Sequence, residues 1–413
     1  MRNVHHTRTC CRACEGSRLT RFLTLGPQPL ANAFLSDPGE FATEASYPLD
    51  VYFCESCSLV QLLDVIDPEV LFGHYLYVTG TSETIARHNV AYARTVTDLL
   101  GLGSGDLVVE VASNDGSLLK QFQGLGVSTL GVEPARNIAE EARRNGVETV
   151  SEFFNSALGQ SLRESYRGAK AVIANNVLAH VDDTIDFLRG ARYLLADGGM
   201  VIFEAPYLVE LLERLEYDTI YHEHLCYFSV TALQWLCERA GLVIARIDRV
   251  PVHGGSIRVY ATVGQHHSAD AQRMADAEKA AGVTSLERYR AFAADVERSR
   301  KLLRDLLCSL KSAGQTIAAY GAPAKGNTLL NYCGIDTSIL PYTVDKNELK
   351  VGLFTPGMHI PVKPASTIRE ERPDNVLILA WNFSEEIMRQ QQAYRDLGGR
   401  FITPIPEPVV HQP

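Results

Sequence analysis

Leu107-Val-Val-Glu-Val-Ala-Ser-Asn-Asp-Gly116 decides the fold. Its first five residues are rich in β-branched side chains, the composition of a buried parallel strand. Ser113-Asn-Asp-Gly116 breaks that run and opens a helical segment, SLLKQFQGLG. Strand, polar turn and helix together form the opening unit of a nucleotide-binding α/β sheet. The turn lets a ligand approach the backbone, and the helix start offers free N–H groups. Ala112 and Asn114 stand where a glycine-rich phosphate loop would carry glycines.

Working outward, Thr129-Leu-Gly-Val132 is the next strand and ends at Glu133-Pro134. An acid roughly 20 residues after the loop sits where such folds grip a ribose diol; a helix-capping acid is the equal alternative. Ala171–Ala174 leads into Asn175-Asn176, and Met200–Phe203 leads into Glu204-Ala-Pro206. Upstream, residues 85–100 have the spacing of an amphipathic helix. Strands alternate with helices, so the expectation is a doubly wound, mostly parallel sheet. A pyrophosphate needs close-packed glycines at the first turn. This turn offers acids instead, which suit a sulfonium ligand. S-adenosylmethionine is therefore the expected cofactor, with Glu110, Ser113, Asn114, Asp115, Gly116, Glu133, Pro134, Phe153, Phe154, Asn175 and Asn176 as its lining.

The chain has 413 residues, enough for two or three domains. Its 46% hydrophobic and 21% charged residues are ordinary for a globular protein. A net charge of -10 argues against the basic face of a nucleic-acid binder. It leaves room for one phosphate-bearing small ligand. No apolar run reaches the roughly 20 residues of a membrane helix. MRNVHHTRTC at the start has no apolar signal core, so a cytoplasmic protein without a membrane partner is expected.

Five of nine cysteines fall within the first 57 residues. Cys11-x-x-Cys14 and Cys54-x-x-Cys57 each can bite one ion from a tight turn. Four thiolates match a closed, structural zinc site, with no open position for catalysis. Cys10 could replace Cys11, although the two-residue spacing favours Cys11. Leu25-Gly-Pro-Gln-Pro-Leu30 reads as a turn-rich loop between the pairs.

Beyond a long helical stretch at about 268–312, Gln315–Tyr320 restarts the strand pattern. Gly321-Ala-Pro-Ala-Lys-Gly-Asn-Thr328 follows, a turn of small residues in which Lys325 could neutralise a phosphate. Tyr320, Gly321, Ala322, Lys325 and Asn327 are the expected substrate contacts there. Further strands are expected at 342–344 and 375–379. His253-Gly254-Gly255 reads either as a backbone approach to substrate or as a tight turn between strands. Tyr221-His222-Glu223-His224 crowds four proton-transferring side chains together, a combination able to abstract and share a proton.

Taken in order, the two C-x-x-C pairs, V-E-V-A-S-N-D-G at 109–116, Y-H-E-H at 221–224, V-H-G-G-S-I-R at 252–258 and A-Y-G-A-P-A-K-G-N-T at 319–328 resemble the deoxysugar C-methyltransferases of antibiotic biosynthesis. The resemblance spans almost the whole chain. It implies a zinc domain at 1–75, a class I methyltransferase domain at 76–300 and a Rossmann-like domain at 301–413. It implies a dTDP-4-keto-6-deoxysugar substrate whose nucleotide lies against the last domain. By the same resemblance His224 is the base, Glu223 a neighbouring acid, and Tyr221 and His180 active-site groups. Tyr75 matches a substrate-facing tyrosine, with Tyr77 the close alternative. His222 is a departure that adds a second imidazole. Methylation at C-3 is preferred over C-5, and a monomer would hold both ligand sites. O- or N-methylation and a non-catalytic binding module are the competing classes. A nicotinamide-linked sugar epimerase would want a Tyr-x-x-x-Lys pair and a fuller glycine loop.

Overall fold

A computed structural model describes residues 4–73, 83–251 and 254–413. Among these residues a seven-stranded sheet runs in the order Val243–Val250, Ser256–Thr262, Leu195–Pro206, Ala169–Ile173, Leu107–Val111, Ser128–Val132, Thr149–Val150. Leu107–Val111 lies parallel to both its neighbours, so every ligand-facing turn opens at one edge. Ser256–Thr262 is antiparallel to the strands on either side of it. The expected doubly wound sheet is present, closed at one end by this antiparallel hairpin.

The decisive turn reaches a glycine-type backbone with few glycines. Ala112 and Asn114 take φ of 52° and 50°, and Gly116 takes 76°. A left-handed non-glycine residue costs roughly 1–2 kcal/mol, so the surrounding structure holds this turn against its own preference. A Cβ at Gly116 would meet Val147 at 2.7 Å.

The cysteine region forms a four-stranded sheet ordered Cys226–Tyr227, Val60–Leu62, Tyr47–Cys54, Leu19–Gln28. Its first strand comes from far along the chain, one residue beyond Tyr221–His224. The turn-rich loop expected at Leu25–Leu30 is corrected. Leu19–Gln28 is one strand that absorbs Leu25 and Gly26 in a register shift and resumes pairing at Pro27. It is the edge strand, where a proline costs no ladder hydrogen bond.

The C-terminal sheet runs Val362–Pro364, Thr343–Asp345, Ile317–Tyr320, Asn375–Ile378, Arg400–Thr403, Val409–His411. The helical stretch before it is two helices, Ala269–Ala280 and Leu286–Ser312. The second runs unbroken across residue 300. Its buried stripe is Tyr289, Phe292, Val296, Ser299, Leu303 and Leu307, spaced by three and four residues. Tyr289 packs on Phe22 and Phe53 of the cysteine region, with ring centroids 5.0 and 4.8 Å apart. Farther along, Arg304 donates to the Cys333 carbonyl at 2.8 Å. One helix therefore touches both flanking regions. Among the described residues no helix is long and apolar enough to cross a membrane.

Candidate active site

Cys11, Cys14, Cys54 and Cys57 bring their sulfurs within 4.8 Å of one another. Each pair sits on a tight knuckle. Glu15 N–H donates to the Cys11 carbonyl, and Ser58 N–H to that of Cys54. Glu15 and Ser58 accept left-handed φ of 59° and 62° to close these turns. Four thiols, three of them buried, fit a tetrahedral zinc ion with no position left for substrate. Cys10 stands outside the quartet, 3.9 Å from Arg8.

At the decisive turn, Glu133 accepts Asn114 N–H and Ala135 N–H, both at 2.9 Å. The carboxylate that ends the second strand thus fixes the first loop as well as facing the ligand edge. Asp115 accepts Ser117 N–H at 3.2 Å. Glu110 is buried, and among the described residues its Oε2 has no partner; neither has Ser113 Oγ. Burial, then Asp115 and Glu133, push the Glu110 carboxyl well above the ordinary range. Two orphaned acceptors under an acidic turn fit the amino end of a methionine-type ligand. Asn175 accepts Tyr92 O–H at 3.3 Å and Glu204 N–H at 3.2 Å. Asn176 turns the chain at φ 55°. Phe154 packs edge-on against Phe187, with centroids 5.3 Å apart, so part of its face serves the core. Phe153 is half-buried nearby.

The Tyr221–His224 tetrad divides between two faces. His224 Nδ1 donates to the Thr219 carbonyl at 2.7 Å, and His180 Nδ1 donates to the Glu223 carbonyl at 2.7 Å. A carbonyl can only accept, so Nδ1 of each ring carries a proton. Their centroids are 4.9 Å apart, and Tyr221 lies 4.1 Å from His224. Burial lowers His180 to about 4, which keeps it neutral near pH 7. His222 points the other way. Its Nε2 lies 3.1 Å from the Pro48 carbonyl and 3.3 Å from that of Tyr47. It ties the tetrad to the cysteine region.

Glu223 is 4% exposed and accepts Asn32 Nδ2 at 2.7 Å. Burial pushes its carboxyl up to about 7, with Asn32 and then Lys350 opposing. It sits where the three regions meet. Tyr75, Tyr77 and His253 lie outside the described residues.

At Gly321–Asn327, where a phosphate grip is expected, the groups hold partners within the chain. Gly321 N–H donates to the Val344 carbonyl, and Ala322 N–H donates to Asp345, each at 2.6 Å. An acid at that turn repels a phosphate. Lys325 bonds Asn382, lies over the Trp381 ring at 4.3 Å, and faces Asp218 and Glu216. Asn327 donates to the Ala31 carbonyl at 2.7 Å. Tyr320 is buried in the core of its own sheet. Gly254 and Gly255 are the hairpin turn, at φ 88° and 123°, where a Cβ would strike Glu216 or Glu210 at 2.7 Å.

Gly254 and Gly255 also line a cavity of about 790 Å³, whose arginines and aromatic rings no sequence motif announced. Arg214, Arg249 and Arg389 line it with Trp381 and Phe383, and Glu210 ion-pairs the first two arginines. A second missed group is Glu204, held between His88 at 3.0 Å and Arg258 at 2.6 Å. Arg258 also lies 3.9 Å over the Tyr92 ring. Glu204 and Arg258 face each other across an antiparallel register, which no local spacing announces.

This sheet, its acidic first turn and its closed cysteine quartet define a zinc-bearing class I methyltransferase that uses S-adenosylmethionine. Residues 11–72 match the family described as "Putative zinc binding domain", 85–247 the family "Methyltransferase domain", and 251–406 the family "C-methyltransferase C-terminal domain". C-methyltransferase NovU of Streptomyces niveus is 39% identical over 404 residues, covering 97% of this chain and 96% of its own. The chain belongs to this family of zinc-containing, S-adenosylmethionine-dependent C-methyltransferases. Among solved structures, the CcbJ methyltransferase of Streptomyces caelestis aligns at 15% identity over 48% of this chain and 97% of its own, TM-score 0.35. An S-adenosylmethionine-dependent methyltransferase of Clostridium acetobutylicum aligns at 13% identity over 44% and 92%, TM-score 0.36.

Proposed function

We propose that this C-methyltransferase acts on a dTDP-4-keto-6-deoxysugar, at the carbon next to the ketone, with C-3 preferred, in deoxysugar and antibiotic biosynthesis. The observation that carries the reading is the His180–His224 pair, two adjacent imidazoles each oriented by an Nδ1 hydrogen bond to a backbone carbonyl. A ketone acidifies its neighbouring C–H bonds. His224 removes one such proton, leaving an enolate whose carbon is the nucleophile. Tyr221, against the His224 ring, and Glu223, able to hold a proton near neutrality, stand as donors for the developing oxyanion. S-adenosylmethionine supplies the electrophilic methyl group. Tyr75 and His180 complete the proposed catalytic set, with Tyr77 and His253 beside the sugar. The cavity under Trp381 and Phe383 offers aromatic faces and arginines for the nucleotide. One chain carries both proposed ligand sites, consistent with a monomer.

General-base help is worth about 10²–10⁴-fold. His224→Asn is therefore expected to keep S-adenosylmethionine affinity and lose at least about 100-fold in turnover. Methyl-labelled cofactor and a panel of dTDP-4-keto sugars in D₂O supply the measurement. Label on a ring carbon beside the ketone supports the reading and separates C-3 from C-5. Label on oxygen or nitrogen, or near-native turnover in the variant, would sink it.

A further inference from the structure

Arg12 lies inside the first metal knuckle, between Cys11 and Cys14, yet it is 2% exposed. Its Nε donates to Asp182 Oδ1 at 3.1 Å, and its Nη2 pairs with the same oxygen at 3.1 Å. Its Nη1 donates to Gln61 Oε1 at 3.3 Å and to the Leu62 carbonyl. Gln61 Nε2 in turn donates to Cys11 Sγ at 3.1 Å. A continuous chain of contacts thus runs from a metal-binding sulfur through an amide and a guanidinium to a carboxylate.

That carboxylate belongs to the residue two positions beyond His180. Asp182 also receives Arg8 at 3.1 Å and faces His6 at 3.6 Å, so the cysteine region grips it from several sides. A second clamp acts on the other histidine. Leu62 N–H donates to the Leu225 carbonyl at 2.9 Å, and Leu225 N–H donates to the Ala179 carbonyl at 2.7 Å. Cys226 and Tyr227 then pair with Gln61 and Val60. Residues 225–227 are therefore held by the strand Val60–Leu62, and residues 179–182 through Leu225 and Arg12, while Gln61 on that strand touches the metal site. Burying a guanidinium is costly, and a knuckle that had only to wrap an ion could carry an apolar residue here.

We propose that Arg12 is a positioning residue for methyl transfer: through Asp182 it fixes the spacing of His180 and His224. The zinc quartet then serves as an anchor for the base as well as for its own small sheet. This rests on the reading of that histidine pair as the base site. A misplacement of about 1 Å can cost on the order of 100-fold in rate, so a remote anchor has a measurable effect.

The test uses the full-length, zinc-loaded protein as Arg12→Met, Arg12→Lys and Asp182→Asn. Zinc per chain, S-adenosylmethionine affinity, kcat and KM are measured, with ¹⁵N spectra of the imidazoles. Arg12→Met and Asp182→Asn should keep zinc and cofactor affinity and lose about 10–100-fold in kcat, with KM changed far less. The Nδ1–H signals of His180 and His224 should shift or broaden. Arg12→Lys keeps the charge without the planar fork and should retain most of the loss. Native kcat and native histidine spectra, a kcat loss that only tracks zinc loss, or full rescue by lysine would each overturn the proposal. The spectra need no sugar, so a wrong substrate assignment silences the kinetics and leaves this arm readable. Should Arg12→Met fail to fold, Asp182→Asn carries the same test away from the metal knuckle.

Discussion

Two strand–turn–helix units in this chain share a topology and differ in use. One runs from Leu107 to the helix at Ser117, the other from Ile317 to the helix at Ala324. At the first turn, Glu110 Oε2 and Ser113 Oγ are buried without a partner among the described residues. At the second, Ala322 N–H is committed to Asp345, and Lys325 to Asn382 beside Asp218 and Glu216. The topology marks where a ligand could enter. Unused bonding capacity separates the two turns.

The contrast breaks most visibly at Lys325. If its role is internal, Lys325→Met strands Asp218 and Glu216 and should cost about 3 kcal/mol of stability, with S-adenosylmethionine affinity unchanged. Chemical unfolding and calorimetric titration check both; unchanged stability with weaker sugar-nucleotide binding would return the lysine to ligand duty. At the other turn the signs reverse. Glu110→Gln keeps shape and removes the ionisable carboxyl, so cofactor affinity should fall about 10–100-fold, the worth of a hydrogen bond to a charged group, with little loss of stability. Equal cofactor binding in that variant would remove the distinction between the turns.

The smallest effect concerns pH. Burial, then Asp218, raises Glu216 from 4.5 to about 7, against Lys325 and Arg214. Between those values the folded chain keeps a proton that the unfolded chain has released, so stability falls as pH rises through the window. Glu216→Gln should flatten that slope, by about 1–2 kcal/mol between pH 5 and 8. Unfolding curves at the two pH values read it directly, and an unaltered slope would mean the proton sits elsewhere.

The sequence announces what is local. The β-branched run at 107–111 and the paired cysteines are legible because strand and knuckle are built from adjacent residues. The Leu25–Leu30 segment misleads, since Gly-Pro-Gln-Pro is turn chemistry unless the strand is an edge, and edge position is set by distant pairing. His222 and His224 look equivalent in the chain, yet one meets Pro48 and the other Thr219. Which face each takes depends on Cys226–Tyr227 crossing into the cysteine sheet, a contact with strands more than 160 residues away in sequence. Arg12 hides for the same reason: its partner Asp182 is 170 positions distant.

The helix Leu286–Ser312 sets a rule for recombining this enzyme with its relatives. A graft beginning at residue 251 would separate Val243–Val250 from its partner Ser256–Thr262, and a graft beginning at 301 would cut the helix between Val296 and Leu303. Tyr289 belongs to one host and Arg304 to the other. A working chimaera must therefore carry the helix together with both surfaces it packs against, so exchangeable parts here are defined by shared packing and not by where one sequence family ends and the next begins.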